Sequence, residues 1–193
     1  MLASDSPFVN GNCSAFYGFF PAATLGFTPV DNAGYAIDGW ATQQNRIRYA
    51  VSDVSITPPG GTAVTNPFTR TNGIRDATAG AVAAASLFFI CASSAPSNIV
   101  GVHCGPGALN TGGSVPLTSN TPAVVWSVGA SAGGRSNDEN QNPNPGPDGA
   151  SSIDRIFVSR TLNTFAGQEF DDIVTWVSVP NLVSRMVLGG QLP

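Results

Sequence analysis

The amino-acid sequence predicts an α+β domain built on an antiparallel β-sheet, with long loops and a short C-terminal helix. Three observations predict it. The 193 residues include 22 glycines and 15 prolines against a charged fraction of 10%, a composition that favours many turns between short strands over long solvated helices. The segment Asn45-Arg-Ile-Arg-Tyr-Ala-Val-Ser alternates as a half-buried strand does. After Pro180, Leu182, Val183, Met186 and Val187 fall at helical spacing until Gly189-Gly190 ends the run, which predicts a short helix. A chain of this length fits one domain, residues 1-193.

The elements follow in chain order. Residues 1 to about 34 carry aromatics and turn formers with no sustained period, an irregular packed segment. In the strand at Asn45, Ile47, Tyr49 and Val51 share one face and Arg46, Arg48 and Ala50 the other, with the arginine face expected in solvent. Pro58-Pro-Gly-Gly breaks the chain, and Ala79-Gly-Ala-Val-Ala-Ala-Ala suits helix or strand equally. Strands are predicted at 87–92 and 99–103, then a surface loop at 105–122 and a strand from Ala123 to Gly129. The stretch 135–152, rich in asparagine and proline, predicts a polar loop without regular structure. Strand-like runs at Ile153–Arg160 and Asp171–Ser178 precede the final helix.

Charge excludes one class of partner. The net charge is -4 and the eight basic residues, all arginine, are scattered, whereas a polyanion requires clustered cations; no nucleic acid is expected. No run reaches the ~18 apolar residues of a membrane span, and Met1-Leu-Ala-Ser-Asp-Ser-Pro lacks the basic and apolar regions of a signal peptide.

The cysteines are Cys13, Cys91 and Cys104. Cys91 and Cys104 each end an apolar run, with the turn-forming Ser93-Ser-Ala-Pro-Ser-Asn between them, so a hairpin would bring their sulfurs into bonding range. Two buried thiols are the alternative. Closing so short a ring stabilises by roughly 3 kcal/mol.

Val102-His-Cys-Gly suggests the base of a serine hydrolase at His103, but no Gly-Asp-Ser-Gly-Gly or Gly-x-Ser-x-Gly accompanies it; a strand-end histidine is the plainer reading. Adjacent residues of a strand point to opposite faces, so Asp171 and Asp172 are expected to act separately, one capping a turn and the other in solvent. Asp138, Asn140 and Asn142 match the first ligand spacings of a calcium loop and Asp148 adds an oxygen donor, while Pro143 and Gly149 stand where its glycine and glutamate belong. Calcium at these four residues competes with a solvated polar loop.

Phe19-Phe-Pro-Ala-Ala-Thr-Leu-Gly, Asp38-Gly-Trp, Pro122-Ala-Val-Val-Trp-Ser-Val-Gly, Phe157-Val-Ser-Arg, Glu169-Phe-Asp-Asp-Ile-Val-Thr-Trp-Val-Ser and the closing Leu182-Val-Ser-Arg-Met-Val-Leu-Gly-Gly-Gln-Leu-Pro lie in one order along the chain. Together they resemble the type IV pilin-like proteins, the prepilin-type and type II secretion pseudopilins. Ala41-Thr-Gln-Gln is inserted where that family has a single glycine, and Phe20 stands where tryptophan is usual.

The resemblance implies a pilin-like globular head whose N-terminal membrane and assembly helix is missing from this chain. It implies a structural subunit, a minor pilin or pseudopilin, with no enzymatic activity and with other pilin or pseudopilin subunits as partners. Before assembly such a protein is anchored in the inner membrane, and afterwards it sits in a periplasmic or extracellular filament. Family members often carry a cysteine shortly after that helix, which would explain the odd Cys13, and some pseudopilins hold calcium in a loop near their last strands. The alternatives are a secreted β-rich adhesin or carbohydrate-binding domain, and a hydrolase using His103.

Overall fold

The computed structural model describes residues 16–40, 45–95, 104–105, 114–130, 136–142 and 155–191. Seven strands run in the order β1 (Tyr17–Phe19), β2 (Arg48–Val51), β3 (Phe88–Cys91), β4 (Pro116–Thr121), β5 (Ala123–Ser127), β6 (Ile156–Val158) and β7 (Ile173–Val177). Among the described residues four short helices accompany them: α1 (Gly73–Ala77), α2 (Ala79–Ala84), α3 (Asn137–Gln141) and, after β7, α4 (Val179–Leu188). The architecture is α+β. One sheet is antiparallel and four-stranded, in the order β1-β2-β5-β7. The second, β4-β3-β6, is mixed, because β3 pairs β4 antiparallel and β6 parallel.

The two sheets face each other across the main core. Ala50, Val124 and Trp126 of the first sheet meet Phe88, Ile90 and Phe157 of the second, and Phe157 lies edge-on to both Phe88 and Trp126, with centroids at 5.3 and 5.1 Å. Every residue of β3 is buried, as befits a central strand covered on both faces. Its Phe88 and Ile90 enter the main core, while Phe89 and Cys91 join Ile156 and Cys104 in a smaller cluster behind it. A third cluster packs α1, α2 and α4 around Val82, Leu87 and Val179.

Cys91 and Cys104 form a disulfide, Cα atoms 5.8 Å apart, fully buried in that smaller cluster. Replacing both cysteines by serine is expected to lower stability by about 3 kcal/mol, read as a shift of the urea midpoint; an unchanged midpoint would mean that the bond constrains nothing.

Four expectations need correction. The predicted surface loop 105–122 contains β4, whose residues Pro116-Leu-Thr-Ser-Asn-Thr offer little apolar alternation because the strand lies at an edge and is largely exposed. The predicted polar loop contains α3, capped by Ser136, whose Oγ accepts from the Glu139 amide at 3.3 Å. The irregular N-terminal segment contributes β1 and a 3-10 turn at Ala23–Leu25. Finally, Arg48 faces the core side and is only 4% exposed. The opposite face of β2, Tyr49 and Val51, is the half-buried one. The undecided run at 79–85 is α2 for most of its length, with the Thr78 hydroxyl accepting from the Ala81 amide. The strand expected at 99–103 lies outside the described residues, and among those described no helix is long and apolar enough to cross a membrane.

Candidate functional site

The helix α3 divides two polar environments. Ser136 fixes its start twice over, capping the Glu139 amide and donating its own hydroxyl proton to the Glu169 carbonyl at 2.6 Å. Ser136-x-x-Glu139 has the spacing of a capping box, but Glu139 turns away to accept the Asp171 amide at 3.1 Å. One turn of helix is thereby tied to the segment that leads into β7.

On one side of α3, Asp138 is buried and saturated with donors. Its Oδ1 accepts from the Ser93 hydroxyl at 2.8 Å, the Ser94 amide at 2.6 Å and the Ser94 hydroxyl at 2.7 Å. Its Oδ2 pairs with Arg160 at 2.6 Å. Burial is the largest influence on this carboxyl and pushes its pKa up, yet the bonds from Ser94 and Ser93 and the charge of Arg160 together outweigh it and hold the pKa below the usual value. Arg160 also donates to the Gln168 carbonyl at 2.6 Å and lies over the Phe170 ring. Around this ion pair opens a cleft of about 600 Å³ whose walls come from 93–95, α3 and the turn at 167–168.

On the other side, Asn142 donates to the Val158 carbonyl at 3.1 Å and to Asp172 Oδ2 at 2.6 Å, and accepts from the Val158 amide at 2.8 Å. It thus continues the ladder at the end of β6. Glu139, Asp171 and Asp172 each place one carboxylate oxygen within 4.8 Å of the others. Gly129, at φ +60°, makes this approach feasible, because a Cβ there would stand 2.1 Å from Asp171 Oδ1. Asp172 is 7% exposed, and its pKa is pushed up to about 7, first by burial and then by the negative charges of Glu139 and Asp171, against the opposing pull of Asn142 and Arg48. Arg48 is itself lowered, by burial, despite the charges of Asp172 and Asp38.

Of the four residues expected to share calcium, Asp138 and Asn140 line the cleft, Asn142 bonds to Val158 and Asp172 at the end of β6, and Asp148 lies outside the described residues, as do His103 and Cys13. Hard oxygen donors do converge at Glu139, Asp171 and Asp172, which supply three of the about six to eight oxygens that calcium takes. The expected separation of Asp171 from Asp172 fails because β7 begins only at Ile173, so the two-residue period of a strand does not govern them. Glu139 has no role in the sequence expectations, and Arg48 is expected there only on a solvent face. The capping-box spacing pointed to the first, while the second carried no signal beyond an arginine at an alternating position.

Known protein families, curated proteins and solved structures, compared with this chain, yield no match.

Proposed function

We propose that the chain is the head of a filament subunit of the type IV pilin-like class, a minor pilin or type II secretion pseudopilin that acts through contacts with other subunits and not as an enzyme. The reading places it in the periplasm or in an extracellular filament, tethered to the inner membrane before assembly. One observation carries it: the outer face of the four-stranded sheet. Residues opposite one another across the ladder share a face, so Val51, Ala123 and Val177 line up, as do Tyr49, Val125 and Thr175. Ile173 is 69% exposed and Val177 38%, while Val51, Ala123 and Val125 are half-buried. Phe20 shields the Tyr49 end, its ring 6.5 Å away.

The inner face of the same sheet is filled by the second sheet, so the apolar outer face is surplus to the core of the head. An apolar helix laid along β5 and β7 would bury it, at a gain of roughly 25 cal/mol per Å². That is the arrangement expected of a sheet carried on a helical stalk.

The native gene upstream of the Leu2 codon tests the reading: a glycine-phenylalanine-threonine-like cleavage site followed by ~20 apolar residues is the expected result, and a conventional signal peptide overturns it. On the protein itself, Ile173→Asp is expected to change head stability by less than about 1 kcal/mol while abolishing filament assembly in the full-length subunit. Filaments formed normally by that variant would remove the sheet face from the mechanism.

A further inference from the structure

The cleft beside α3 has a chemistry of its own, independent of how the head is anchored. Its size, about 600 Å³, falls within the range of small-ligand sites. Its ion pair is internally matched: Asp138 accepts from Ser93, Ser94 and Arg160, and Arg160 spends Nη1 on Asp138 and Nη2 on the Gln168 carbonyl, its Nε being without a partner among the described residues. The carboxylate of Asp138 and the guanidinium of Arg160 offset each other's charge, so the pair presents little net charge to a metal cation, a phosphate or a carboxylate. What remains on the walls is neutral. The side-chain amides of Asn137, Asn140 and Gln168 have no hydrogen-bond partner among the described residues, and each offers two donors and an acceptor.

The turn that ends at Gln168 also carries an exposed aromatic. Phe165 is 77% exposed and sits on the turn that supplies Gly167 and Gln168 to the cleft, its carbonyl accepting from the Gln168 amide at 2.9 Å. Rotatable amides, a matched charge pair and an exposed ring on the turn that supplies Gln168 suit a ligand with hydroxyls around its edge and C–H groups on its faces. We infer that this cleft is a binding site for a neutral saccharide unit, held by Asn137, Asn140 and Gln168 and stacked on Phe165.

The test titrates the isotope-labelled 193-residue chain with glucose, galactose and N-acetylglucosamine and with their β-1,4-linked trimers, following amide resonances. At least one sugar is expected to give saturable shifts at 93–95, 137–141 and 165–168, with a dissociation constant of millimolar order. Asn140→Ala, Gln168→Ala and Phe165→Ala change exposed groups, so each is expected to keep the parent melting temperature and weaken binding about tenfold. Absence of saturable shifts with every sugar overturns the inference. So does saturable binding of sulfate or calcium at the same resonances, or sugar binding that the three variants leave unchanged. The titration succeeds or fails without reference to filament assembly, so the two proposals fall separately.

Discussion

Asp172→Asn is expected to make the protein about 4 kcal/mol more stable at pH 8 while leaving its stability at pH 4 nearly unchanged. The folded carboxyl holds its proton up to about pH 7, against 3.8 for an ordinary aspartate. Across that interval the folded state binds more protons than the unfolded one, so the parent protein loses stability as pH rises from about 4 to about 7. Asparagine mimics the protonated carboxyl and still presents an oxygen to the Asn142 amide. Urea titrations at several pH values read the effect directly. They belong in buffer freed of divalent cations, because a cation among Glu139, Asp171 and Asp172 would itself keep the carboxylates ionised. A parent protein whose stability is flat between pH 4 and 8 would contradict the expectation.

Removing the buried cation should act in the opposite sense. Arg48 carries its charge among Phe19, Asp172 and Asp38, so Arg48→Met is expected to cost about 3–5 kcal/mol at pH 8, the penalty for breaking a buried charge set by deleting one member. Asp172→Asn in the same chain should return a substantial part of that loss, because it removes a carboxylate left without its cation. A double-mutant cycle gives the coupling, expected at about 1–3 kcal/mol. Strictly additive effects of the two substitutions would show that Arg48 matters only for the volume it fills.

The sequence announced some of this and concealed the rest for identifiable reasons. β2, β3, β5 and α4 were legible because their alternation, apolar runs and helical spacing are local. Pro180 sits in the first turn of α4, whose cap, Ser178, accepts from the Asn181 amide. β4 was hidden because Pro116-Leu-Thr-Ser-Asn-Thr reads as turn chemistry and becomes a strand only through pairing with β3. The depth of Arg48 depended on carboxylates far along the chain, Asp172 above all, a proximity that no window of sequence contains. Of the candidate site, Asp138 was singled out for its oxygens, but its partners Ser93, Ser94 and Arg160 are distant in sequence. The carboxylate trio needed Asp171 and Asp172 to lie just short of β7, within the ±2-residue uncertainty of an element boundary.

The parallel pairing of β3 with β6 has a consequence for how the chain acquires its shape. Phe89 is matched with Ile156 and Cys91 with Val158, so Phe157 reaches its place between the sheets only after most of the polypeptide has been made. Cys91 and Cys104 are 13 positions apart and can join long before that. The segments of the cystine ring and of the β3–β4 pair are therefore made before Phe157, the core between the sheets stays open to water until that ring arrives, and that interval is when the nascent chain is most exposed to aggregation.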